Sequence, residues 1–146
     1  MGDRDFRFKL DCAPRDVTPK ALSQAVSAFA RILSAADASD WRISRMELHS
    51  IDLAAKPVVV DERTERSFAT LDTITRLATR DDVSRDEAFR FSGIFSALSD
   101  LAKETNANIT VSSHEAEGTF TPGVLTGINR LLIRGSRRSF GHVRGM

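Results

Sequence analysis

The chain has 146 residues, with 21 Lys plus Arg against 20 Asp plus Glu, 41% hydrophobic residues and 28% charged ones. That balance excludes a disordered chain, which is poor in apolar residues and rich in net charge, and it fits one domain of roughly 100–150 residues. The lone cysteine, Cys12, excludes an internal disulfide and any cysteine-built zinc or iron–sulfur cage, and no apolar run reaches the ~18 residues of a membrane span.

Two biases accompany these totals. Of the 21 basic residues 17 are Arg, which suggests a GC-rich bacterial or phage genome. Tyr is absent beside 9 Phe and 1 Trp, so the aromatics read mainly as core rather than as half-wet recognition groups. Met1–Leu10 is too charged for a signal peptide. The expected location is cytoplasmic.

In chain order, Phe6, Phe8, Leu10 and Cys12 alternate with Arg7, Lys9 and Asp11, which predicts a strand over Asp5–Cys12 with one wet face. Thr18-Pro19 opens a helix, with Thr18 as cap and Pro19 where a missing N–H costs nothing. Leu22, Val26, Phe29 and Leu33 form its apolar stripe as far as about Ala36. Trp41–Leu53 is extended but changes phase. Trp41 and Ile43 share one phase, Met46 and Leu48 the other, and Ile51 and Leu53 return to the first. Either bulges lie near Ser44-Arg45 and His49-Ser50, or two short strands meet at a corner. Lys56-Pro57 stops this element, and Val58–Val60 leads into the next helix.

Asp61 caps a helix whose apolar side is Phe68, Leu71, Ile74 and Leu77. After Arg80-Asp81-Asp82, the run Ser84-Arg85-Asp86-Glu87 is a capping box for a third helix carrying Phe91, Ile94, Phe95, Leu98, Leu101 and Ala102. Thr105–Asn108 closes it. Ile109 and Val111 mark a short strand, His114–Phe120 a loop, and Thr121-Pro122 a fourth helix with Val124, Leu125, Ile128, Leu131 and Leu132 inward and Gly135 as its end. Ser139–Val143 begins a final strand. The two Thr-Pro helix starts give two similar strand–loop–helix units, which convergent capping explains as well as duplication does.

The fold class expected is α/β or α+β: one domain over 1–146, a small mixed sheet with about four helices in the order β-α-β-α-α-β-α-β. A right-handed crossover through the first helix would pair Phe6–Cys12 parallel with the Trp41–Leu53 segment.

Chemistry is sparsely signalled. Ser112–Thr119 leaves a strand and approaches a helix start, the place where a sheet presents a ligand. There His114 can serve as a base and Glu117 can orient it. The plainer reading is a solvated loop. His114-x-x-Glu117 is too short for a metal motif, and His49, Ser50 and Asp52 alternate faces and cannot form a triad along one strand. Phosphate-loop, dinucleotide, nucleophile-elbow and His-Glu-x-x-His patterns are missing from the sequence. No catalytic residue is assigned beyond those two candidates, and neither metal nor cofactor is expected.

Charge is unevenly placed. Residues 1–117 hold 16 basic and 20 acidic side chains, a net of −4, whereas Gly118 onward holds Arg130, Arg134, Arg137, Arg138 and Arg144 with no acid. These five arginines are the candidate surface for nucleic acid or an acidic partner. The plainer reading is a solvated turn, or self-association with the acidic helices. A nucleic-acid domain is usually basic throughout and interleaved with aromatics, and only Phe140 qualifies nearby.

Phe6–Leu10, Pro19–Leu33, Trp41–Leu53, Ile109–Val111 and Phe140-Gly-His-Val-Arg-Gly145 together resemble the N-terminal part of uncharacterised bacterial proteins from GC-rich genomes. The resemblance implies no activity. It implies that 134–146, the basic C-terminal segment, opens a second small β domain, and either that Met146 is a truncation point or that this chain has lost that domain. The function expected is a non-catalytic binding or assembly module, a homo-oligomer or the partner of another protein. Nucleic-acid binding through the arginines and a small-ligand or enzyme site at His114 and Glu117 are the alternatives. No membrane association is expected.

Overall fold

The computed structural model describes residues 4–79, 83–113 and 116–132. Strand β1 (Phe6–Asp11) alternates as its sequence predicts, burying Phe6, Phe8 and Leu10 and exposing Arg7, Lys9 and Asp11. A single 3-10 turn over Pro14–Asp16 leads to helix α1 (Pro19–Ala35). Thr18 Oγ1 accepts from the Ala21 N–H at 3.1 Å, and Pro19 occupies the first turn.

The Trp41–Leu53 segment is two strands, β2 (Trp41–Glu47) and β3 (Ile51–Pro57), joined by a turn over 48–50. Each alternative suggested by the sequence holds in part: one of the two expected bulges forms, and a reversing turn stands where the second bulge or a corner was expected. The turn reverses the chain at His49-Ser50, and a bulge falls between Ile43 and Arg45. The bulge adds one residue at Ser44, so Ile43 lies opposite Ala55 and Met46 opposite Leu53, on the same face despite their odd spacing.

Helix α2 (Glu62–Arg76) follows its Asp61 cap. The third helix predicted from Ser84 is broken into α3 (Arg85–Arg90) and α4 (Ser92–Thr105) at buried Phe91, whose backbone (φ −112°, ψ 23°) leaves the helical region. Ser92 and Gly93, weak helix formers, follow the break. The capping box at Ser84 and Glu87 forms as predicted, with the Glu87 N–H 3.2 Å from Ser84 Oγ. Asn106, left-handed at φ 51° and ψ 37°, closes α4. Strand β4 (Asn108–Ser112) then pairs with β5 (Glu117–Phe120), which lies inside the segment expected as a loop. Helix α5 begins after Thr121 and is described over 122–132. The expected final strand, Ser139–Val143, and the cap at Gly135 lie outside the described residues.

The α/β single-domain class holds, and the elements fall in nearly the expected order. The expected mixed sheet is instead antiparallel in every described pairing, in the order β2-β3-β1-β4-β5. The parallel pairing expected beside β1 fails because the turn at 48–50 folds β3 back between β1 and β2. β1 and β2 still run the same way, but as a split β-α-β unit. The same holds for β3 and β4, joined through α2, α3 and α4 with β1 between them.

One sheet face is covered. Phe29 of α1 stacks on Phe6 (ring centroids 6.0 Å apart) and tilts against Phe8 (5.8 Å), while Phe95 of α4 meets Phe120 of β5 edge to face. The buried line of α1 runs through Ala21, Ala25, Ala28, Phe29 and Ile32, so the stripe predicted from Leu22 and Val26 is displaced and Val26 is 38% exposed. The small alanines suit close approach of α4, which lies alongside α1. Helix α2 spans the sheet from one edge to the other. Phe68 packs on Trp41 near its start, and Thr75 near its end touches β5. A Cβ on Gly118 would stand 2.3 Å from the Thr75 carbonyl oxygen and 2.9 Å from the Ala78 methyl. Gly118→Ala is therefore expected to destabilise the fold by about 1–3 kcal/mol, the usual cost of overpacking, read as a lower urea midpoint at unchanged slope.

Candidate functional site

The uncovered sheet face carries Arg7, Lys9 and Asp11 on β1, Asp52 and Lys56 on β3, Thr110 and Ser112 on β4, and Glu117 and Thr119 on β5. Lys9 stands between Asp52 and Thr110 in the register, and the hydroxyls of Thr110 and Thr119 are 3.1 Å apart. Ala54 is buried on this face, with Arg7 and Arg45 opposite it on either side in the register. No described strand brings an aromatic ring here: Phe6, Phe8, Phe120 and Trp41 all belong to the helix side. A base would find cations but no stacking surface.

The candidate residues are dispersed. Glu117 opens β5, exposed and opposite Ser112, whereas His114 lies outside the described residues. Arg130 is exposed on α5; Arg134, Arg137, Arg138 and Arg144 lie outside the described residues. His49 and Ser50 sit in the β2–β3 turn, apart from any pairing with Asp52 on β3. Among the described residues no group of three or more His, Cys, Asp and Glu side chains is arranged to hold a metal. Cys12 is half-buried. Burial pushes its thiol above the usual range, aided by Asp16 and Asp11 and opposed by a hydrogen bond from the Ile51 backbone. A thiol in that setting is protonated at neutral pH and slow as a nucleophile.

The feature that sequence reasoning missed is the position of β2. It is a terminal strand of the sheet, and its outer backbone side is unpaired among the described residues. Of its helix-side residues only Trp41 is sheltered, against Phe68 and with its Nε1 donating to the Ala36 carbonyl at 3.0 Å. Ile43 and Met46 are 52% and 51% exposed, and Leu48 in the adjoining turn is 46% exposed. The exposed run Val58–Val60 lies at the other end of β2, beside Trp41, where the Val58 N–H donates to the carbonyl of Asp40, the residue before β2. Isolated exposed apolar residues are ordinary, but a row along an unpaired edge is not. The phase slip at Ser44 was the available signal. It revealed the bulge but not that the bulge keeps Ile43 and Met46 on one side.

Comparison with protein-family models, curated proteins and solved structures finds no match for the chain.

The valine run is fixed at its far end by Asp61. Its carboxylate accepts from the Arg63 side chain (Nη2 at 2.8 Å, Nε at 3.2 Å) and the Arg63 N–H (2.9 Å), while the Asp61 N–H donates to Thr64 Oγ1 at 3.0 Å. The Arg63 side-chain bonds, then its backbone N–H, hold the Asp61 carboxyl below the usual carboxylate range. A depressed folded pKa stabilises above the unfolded value, near 3.9 for Asp, and that contribution is lost as pH falls through the folded value. Wild type should therefore be more stable than Asp61→Asn at neutral pH. The difference should shrink below about pH 4, as followed by urea titration across the acid range.

Proposed function

We propose that this chain is a non-catalytic, cytoplasmic assembly module that associates with itself. The observation that carries this reading is the apolar row Ile43, Met46 and Leu48, exposed along a terminal strand whose backbone is unpaired on its outer side among the described residues. A chain that leaves such an edge open invites another strand.

A second reading is favoured by the five arginines from Arg130 to Arg144, which stand against a body of net charge −4. In it the basic segment binds nucleic acid, with affinity that falls steeply with salt and weakens for Arg137→Ala with Arg138→Ala. Undetectable binding to DNA and RNA at low salt eliminates it.

For the assembly reading, size-exclusion chromatography with light scattering should give a dimer or larger. The double variant Ile43→Lys with Met46→Lys should move the mass toward the monomer, with little change in melting temperature at concentrations where wild type is itself monomeric, since both side chains are exposed in the single chain. A strict monomer at high concentration would sink the reading.

A further inference from the structure

The chemistry of β2 is nearly palindromic. Outward from Ser44 and Arg45 come Ile43 and Met46, then Arg42 and Glu47, then Trp41 and Leu48. The bulge extends this order to the faces of the sheet. Trp41, Ile43 and Met46 lie opposite Pro57, Ala55 and Leu53 on the helix side, and Arg42 and Glu47 lie opposite Lys56 and Asp52 on the open side. Without the extra residue, Ile43 and Met46 would point to opposite faces.

Resting on the assembly reading above, we infer that the occupant of the β2 edge is a second copy of this chain, paired antiparallel about a two-fold axis at Ser44–Arg45. An axis perpendicular to the sheet keeps each face and reverses the strand, so the interface is isologous. It sets Ile43 opposite the partner's Met46 and Arg42 opposite the partner's Glu47, each contact occurring twice. The apolar row then runs unbroken across both copies on the helix side, and the unpaired backbone groups of both edges find partners.

Charge supplies the stronger argument. Inside the chain, β2 meets β3 with like charges directly opposite: Arg42 faces Lys56 and Glu47 faces Asp52. Such pairs are unfavourable across the strand, though neither Lys56 nor Asp52 is without another interaction, Asp52 having Lys9 on its other side. The two-fold partner brings a carboxylate beside Arg42 and a guanidinium beside Glu47, opposite in sign to the residue that β3 sets against each. Arg45, nearest the axis, is held by Glu47 of its own strand at 3.2 Å, which tempers repulsion between the two copies of Arg45. Edges guarded against pairing usually carry one sign of charge, often Lys, so that two copies repel. β2 carries both signs in the order that attracts its own copy. The opposite edge, β5, has only four residues and is pressed at Gly118 onto α2.

The test is a charge exchange, read by sedimentation equilibrium. Arg42→Glu alone sets a second carboxylate against the partner's Glu47, and Glu47→Arg alone sets two guanidinium groups together. Each should weaken the dimer by about tenfold or more. The equimolar mixture of the two variants, and the double variant Arg42→Glu with Glu47→Arg, restore opposite charges at both contacts and should return to within about threefold of wild type. Melting temperature at low concentration serves as the folding control. It should hold or rise for Arg42→Glu, which gives Lys56 an opposite charge across the strand, whereas for Glu47→Arg the opposite charge gained at Asp52 is set against the lost Arg45 pair and little net change is expected. A wild-type dimer indifferent to both reversals overturns this pairing and leaves the assembly reading standing. So does weakening that neither mixture nor double variant restores. A monomeric wild type overturns both.

Discussion

Strand β1 occupies the middle of the sheet, and the arrangement around it depends on that. Its backbone is paired on both sides, with β3 on one and β4 on the other, and Phe6 and Phe8 on its inner face meet the ring of Phe29. A strand consumed on both edges by antiparallel neighbours forces each helical connection to pass over it. Both crossovers therefore become split units, and their helices gather on the face where the phenylalanines point. The layer is fastened at its end by the Ala36 carbonyl, which accepts from Trp41 Nε1 at 3.0 Å and lies 3.2 Å from Ser67 Oγ. One oxygen thus joins the end of α1, the start of β2 and the first half of α2.

That central placement leaves β2 at the margin. The helices α1 and α4 lie side by side over the core strands, and α2 meets β2 at Trp41 through Phe68. Beyond Trp41 the inward-facing residues of β2 have the polarity of a core and the exposure of a surface. A buried strand and an edge strand can share one residue pattern, and only the neighbour decides which is present. Here the missing neighbour is the most informative feature of the molecule, because the edge is apolar on one face and bears both signs of charge on the other.

Where sequence reasoning succeeded, local chemistry settled the outcome. Thr18-Pro19, Asp61, Ser84 with Glu87, and Asn106 act through hydrogen bonds within a few residues, so their roles are visible without the fold. The phase slip at Ser44 is local in the same sense. Where it failed, the deciding contact was distant. Val26 is half-exposed while Ala25 and Ala28 are buried because α4 lies beside the alanines, a neighbour more than sixty residues away in the chain. Glu117–Phe120 reads as a loop because Gly118 breaks the apolar alternation. Yet the glycine is there because the Thr75 carbonyl leaves no room for a side chain.

By itself the sequence determined the class, the caps, the alternation of β1, the phase slip near Ser44 and the contrast between a net −4 body and an arginine-bearing end, since composition, periodicity and short-range hydrogen bonding carry all of these. Only the tertiary structure decided strand order and direction, the place of β2 at the edge, and the pairing of Arg42 with Lys56 and Glu47 with Asp52. Those depend on which segments meet across the chain. A turn of three residues at 48–50 was enough to exchange a parallel neighbour for an antiparallel one.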